Sequence, residues 1–206
     1  MGMEILCFDL EGVFIPEIWI NVAERTGLES LRITTRDEPD YDKLMRYRLE
    51  ILDEQGLGIA EIQQVISQMH PLPGAREFLD WAQKNFQVVI LSDTFYQFAE
   101  PLMAQLGYPV LFCHNLDIDA NGRITDYKLR MSNQKVEAVN AFIRLNFTVF
   151  ASGDSYNDTG MLLTAHRGFL FKTPKNVIMD FPQLPVVVNY EELQAELVRA
   201  SSRTID

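Results

Sequence analysis

The chain has 206 residues, with 29 Asp and Glu against 18 Lys and Arg, for a net charge of −11. Basic residues so outnumbered, and nowhere gathered into a run, argue against binding nucleic acid or an anionic membrane, where affinity comes from Lys and Arg on phosphate. A composition of 47 % hydrophobic and 23 % charged residues excludes wholesale disorder and fibrous repeats, and the length predicts one domain with room for a smaller inserted lobe.

The first predicted strand is Glu4–Phe8. Glu4 within this run, with no basic residues before it, argues against a secretory signal. Gly2 is not expected to be myristoylated, because Leu6 stands where Ser or Thr is required. No stretch approaches the ~18 apolar residues of a membrane span. Cys7 and Cys113 are far apart, show no metal spacing and read as free thiols, so a cytoplasmic protein is expected.

From Pro16 to Gln68 no strand pattern occurs, only three helical ones: Pro16 to Gly27, Tyr41 to Gln55 and Ala60 to Met69. They predict a helical lobe over 16–70, inserted into a core made of 1–15 and 71–206. Pro71 and Pro73 mark the return, and Gly74 opens a helix reaching Asn85. Strands are then predicted at Phe86–Leu91, Phe147–Ala151, Gly168–Phe171 and Pro185–Val188, with helices at Phe95–Leu106, Asn133–Leu145, Asp158–His166 and Tyr190–Arg199. This alternation is that of an α/β fold with a parallel sheet. The segment Asp117–Arg123 imitates the start of a calcium loop, but Lys128 occupies the twelfth position, where a Glu is needed; Asn121-Gly122 reads as the turn of a hairpin.

Ligands of an open parallel sheet bind beyond the carboxyl ends of its strands. The first strand ends in Asp9-Leu-Glu11-Gly-Val, the second in Ser92-Asp93-Thr94, and the third in Gly153-Asp154-Ser-Tyr-Asn157-Asp158. Carboxylates gathered at one edge repel each other unless a cation sits among them. Mg²⁺ suits a few carboxylate oxygens, with Asp9 and Asp154 as its ligands. Lys135, opening the helix before the third of these strands, can bring a point charge to a phosphate at the same edge.

These four segments, in this order, resemble the motifs of haloacid dehalogenase-like phosphotransferases. The resemblance covers essentially the whole chain and implies a Rossmann-like core with an all-helical cap. It implies that Asp9 is the nucleophile and a metal ligand, that the Glu11 carbonyl is a second ligand, and that Asp154 is a third. Ser92 and the Asp93 amide would hold phosphate oxygens, Asn157 would lie against the substrate, and Lys135 would neutralise the transferring group. Asp158 would fix the metal waters or the lysine. Glu11 departs from the family pattern, which has Asp as acid and base at this position; the extra methylene changes its reach.

Glu17, early in the lobe, and Arg48, on its second helix, offer an ammonium and a carboxylate their partners, a pairing similar to that of phosphoserine phosphatases. The simpler alternatives are a first-turn residue for Glu17 and an exposed pair with Glu50 or Asp53 for Arg48, with Arg46 the fallback for carboxylate binding. The runs Asp9–Trp19, Val88–Tyr96 and Gly153–Thr159 resemble a subgroup that hydrolyses phosphoserine and also passes its phosphoryl group to homoserine, Glu11 being part of that likeness. Phe95 reads as packing, or as a pocket wall. His70, His114 and His166 have no mutual metal-ligand spacing and read as structural or surface residues. Two other readings stay open: a phosphatase for a different small ester, and a non-catalytic phosphate-binding regulator. Oligomeric state is not legible.

Overall fold

The computed structural model describes residues 3–34, 37–38 and 40–205; Met1 and Gly2, on which the myristoylation reading bears, lie outside them. Among the described residues seven strands form one sheet in the order β4-β3-β2-β1-β5-β6-β7. β1 (Met3–Phe8) is buried along all but its first residue, as a strand covered on both faces must be. It pairs in parallel with β2 (Gln87–Phe95) on one side and β5 (Phe147–Gly153) on the other. β6 (Arg167–Phe171) and the two-residue β7 (Val186–Val187) continue the parallel run. Because β2 and β5 leave β1 in opposite directions across the sheet, a crevice opens at the carboxyl ends of all three.

Between β1 and β2 the elements among the described residues are helical, as the pattern predicts: α1 (Ile18–Thr26), a 3₁₀ turn at Glu29–Arg32, α2 (Tyr41–Glu54), α3 (Ile59–Ile66) and α4 (Ala75–Asn85). Gly27 ends α1 in the left-handed conformation, and the Asp40 side chain caps α2 by accepting the Lys43 N–H. The inward face of α2 is Leu44, Met45, Leu49, Ile51 and Leu52, with Arg48 among them.

Several boundaries move. α1 starts at Ile18 instead of Pro16. β2 runs to Phe95, past the expected Leu91, so Ser92, Asp93 and Thr94 are strand residues; α5 (Tyr96–Met103) follows directly. The hairpin is present as β3 (Leu111–Ile118) and β4 (Ile124–Lys128), antiparallel to each other. Asp119 Oδ1 accepts the N–H groups of Asn121 and Arg123 across its turn, and Lys128 pairs with Asp117. α6 (Gln134–Arg144) precedes β5, and α7 (Tyr156–Thr164) begins two residues before the expected Asp158. A short α8 (Lys175–Asp180), unmarked in the sequence pattern, precedes α9 (Tyr190–Ala200). No helix among the described residues is long and apolar enough to cross a membrane, and both cysteines are buried and free.

Candidate active site

The three strand ends converge as the motifs predict. Asp9 follows β1, Ser92 and Asp93 lie near the end of β2, and Asp154 follows β5, all lining one cavity of about 150 Å³. At its floor the Lys135 ammonium donates to Asp9 Oδ1 at 2.8 Å and to Asp158 Oδ1 at 2.7 Å, and lies 3.6 Å from Asp93 Oδ2. Asp9, Lys135 and Asp158 are all buried. Burial pushes the Asp9 carboxyl well above the usual range, Asp158 and Asp154 push it further, and Lys135 opposes them. Burial works against the Lys135 ammonium too, but Asp158, Asp9 and Asp93 outweigh it and hold its pKa well above the ordinary value.

Carboxylate oxygens of Asp9, Asp154 and Asp158 all lie within 4.8 Å of one another. Such a cluster of hard oxygen donors fits a divalent cation, and one lysine does not balance three acids. Asp158 is held from both of its oxygens. Its Oδ2 accepts the N–H groups of Asp154 and Ser155 at 3.0 and 3.1 Å while Oδ1 takes Lys135, so it orients the other members. Two glycines permit this crowding. Gly12, at φ +75°, and Gly153 would carry a Cβ only 2.4 Å from the carboxyls of Asp154 and Asp158 respectively.

Above the floor, the Glu11 Oε2 accepts the Ile18 N–H at 2.8 Å, so the same carboxyl that faces the cavity caps the start of α1. Burial, then Glu17 beside it, raise its pKa to about 8, against the Ile18 hydrogen bond and Arg48. Ser92 Oγ accepts the Thr94 N–H at 3.2 Å, which leaves its own hydrogen to donate. Asn157 Nδ2 reaches Asp93 Oδ2 at 3.2 Å.

Arg48 does not make the exposed pair weighed for it. It is only 6 % exposed, and Asp53 is taken by Arg123. Its guanidinium lies 4.5 Å over the Trp19 ring, Nη2 donates to the Ile33 carbonyl at 2.6 Å, and Nε, buried, has no partner. Burial lowers its pKa to about 10, which leaves it cationic at neutrality, with Glu11 first among the groups opposing the shift. Arg46 points elsewhere, pairing with Asp126 at 2.8 Å. Glu17 lines the same cavity as Arg48.

Trp19, Thr34 and Tyr41 also line it and were not singled out. Tyr41 donates its hydroxyl to the Asp93 carbonyl at 3.1 Å, linking α2 to β2. Its position opening a helix gives no signal of this, and only the nearness of Trp19 to Glu17 along the chain points to that residue. Phe95 packs in the core against Phe98 and Tyr127 and does not line the cavity. His166 Nδ1 accepts the Val149 N–H, a structural role as expected. His114 lies beneath Asp93.

The fold and this strand-edge cluster of acids around a lysine define a class, and the comparisons agree. Residues 13–163 match the family of haloacid dehalogenase-like hydrolases, and the chain belongs to that family. It is 57 % identical over 203 residues to phosphoserine phosphatase ThrH of Pseudomonas aeruginosa, across 98 % of this chain and 99 % of that protein. It is also 57 % identical over 204 residues to a phosphoserine phosphatase of Pseudomonas syringae pv. tomato, across 99 % of this chain and 86 % of the relative. Among solved structures, a phospho-aspartyl intermediate analogue of phosphoserine phosphatase superposes with a TM-score of 0.76 at 18 % identity, over 95 % of this chain and 99 % of the other. That last likeness is one of fold.

Proposed function

We propose that the protein is an Mg²⁺-dependent phosphoserine phosphatase that works through an aspartyl-phosphate on Asp9 and also transfers the phosphoryl group to homoserine. The observation that carries the reading is the buried Asp9 carboxylate, held on Lys135 and packed against Asp154 and Asp158. Phosphoryl transfer needs little from a protein beyond such positioning and charge. The 57 % identity to two phosphoserine phosphatases supports the substrate, and the ThrH name of one of them fits the transferase half.

Asp9, the Glu11 carbonyl and Asp154 would hold the Mg²⁺. The bound ion would offset the repulsion between an anionic nucleophile and a phosphate ester. One Asp9 oxygen attacks phosphorus while the serine oxygen departs and takes a proton from Glu11. Lys135, the Ser92 hydroxyl and the Asp93 amide hold the non-bridging oxygens, and Asn157 flanks them. Glu11, now ionised, removes the proton of the entering water, which attacks phosphorus, frees inorganic phosphate and restores Asp9. Homoserine takes the place of that water when its hydroxyl reaches Glu11.

Segment 16–70 is a cap that selects the substrate, with core 1–15 and 71–206 beneath. Glu17 takes the substrate ammonium, and Arg48, whose Nε is buried without a partner, takes the carboxylate. The test is a panel of phosphate esters with and without Mg²⁺. Phosphoserine should be the best substrate, chelation should remove activity, and Mg²⁺ should restore it. A sugar phosphate or nucleotide turned over better than phosphoserine would overturn the substrate assignment.

A further inference from the structure

Asp93 carries a carboxylate that none of these steps uses. Its Oδ1 accepts from Gln134 Nε2 at 3.1 Å and lies 3.6 Å from His114 Nε2. Its Oδ2 accepts from Asn157 Nδ2 at 3.2 Å and lies 3.6 Å from the Lys135 nitrogen. His114 Nδ1 accepts the Arg130 N–H at 3.0 Å, so the neutral ring carries its proton on Nε2, the side of Asp93. Gln134 also donates to the Ser92 carbonyl, fixing side chain and strand together. Burial disfavours the charged form, yet Lys135, His114, Gln134 and Asn157 together hold this carboxyl well below the usual range.

Two consequences bear on phosphate. A lysine ammonium has three hydrogens. Two lie on Asp9 and Asp158 at 2.8 and 2.7 Å, and the third is left for Asp93 Oδ2, at 3.6 Å, or for an oxygen of the phosphoryl group. The Asp93 side chain is also 34 % exposed and faces the cavity, so a fixed negative charge stands beside the place where a dianion binds and must leave.

We propose that Asp93 sets how tightly the product is held: its carboxylate, fixed beside the phosphoryl pocket by Gln134, His114 and Asn157, keeps inorganic phosphate weakly bound so that it departs. The proposal rests on the phosphatase reading and adds to it a role for the side chain at position 93. Fixed like charges at short range oppose anion binding, and removing one strengthens it.

The test is calorimetric titration of the Mg²⁺-supplemented protein with inorganic phosphate, alongside steady-state turnover of phosphoserine. Asp93→Asn, which keeps the size and one acceptor oxygen, should bind phosphate about tenfold more tightly or better and show a lower kcat. Asp93→Glu should return affinity toward the wild-type value. If Asp93→Asn does not fold, Asp93→Ser carries the same expectation. Phosphate bound equally or more weakly by the neutral variant, which is what a purely architectural role gives, overturns the proposal. The phosphatase reading fails separately, when the wild type neither hydrolyses phosphoserine nor binds phosphate.

Discussion

Arg48→Met separates recognition from folding most cleanly. Arg48 is buried against Trp19 and lines the cavity, with Nη2 committed to the Ile33 carbonyl and Nε without a partner. Methionine keeps an unbranched apolar stem of similar length in that space and deletes the charge. A hydrogen bond to a charged group contributes about 1.5–3 kcal/mol, so kcat/KM for phosphoserine should fall about 10- to 150-fold. Phosphoethanolamine has the same phosphate and ammonium without the carboxylate, so its kcat/KM should change by less than about threefold. Both substrates are assayed at saturating Mg²⁺ with release of phosphate as the readout, and thermal melting of each variant checks that the fold survives. Equal losses for the two substrates would refute carboxylate binding and assign Arg48 to packing or to balancing the charges of Glu11 and Glu17.

Saturating homoserine in a reaction with phosphoserine should yield phosphohomoserine by phosphorus NMR; inorganic phosphate alone would remove the transferase activity. Gly153→Ala should abolish most turnover, because a Cβ there meets the Asp158 carboxyl at 2.4 Å, and wild-type kcat in a folded Gly153→Ala protein would contradict the placement of Asp158. Glu4→Gln should lower the unfolding free energy by about 1–3 kcal/mol in urea, because the buried Glu4 carboxylate accepts hydrogen bonds from the Ser201 hydroxyl at 2.7 Å and the Ser202 N–H at 2.9 Å, and turnover should be unaffected.

The floor of the site was legible because a parallel sheet delivers its strand ends to one edge, so acids after three apolar runs must meet there. Asp9, Ser92, Lys135, Asp154 and Asp158 needed only that rule and their order along the chain. The end of β2 was less legible, because Ser92-Asp93-Thr94 reads as a turn by composition, while the strand continues to Phe95. Contacts between distant elements left no periodic trace. The burial of Arg48 depends on Trp19 from another helix, and the exposed pair was the natural alternative until Asp53 proved to be held by Arg123 from the hairpin. The grip of His114 and Gln134 on Asp93 is likewise set by tertiary packing, and a lone histidine in an apolar strand carries no sign of it.

The central claim is that Asp9 carries the phosphoryl group. Enzyme turning over phosphoserine with Mg²⁺ is quenched in acid, and its peptides are mapped by mass spectrometry. The account predicts one phosphoryl group on the peptide containing Asp9, labile to hydroxylamine as an acyl phosphate is, and absent from an Asp9→Asn variant whose turnover has fallen at least about 10³-fold. A phosphoryl group found on a serine or histidine instead, or near wild-type turnover by Asp9→Asn, would contradict it.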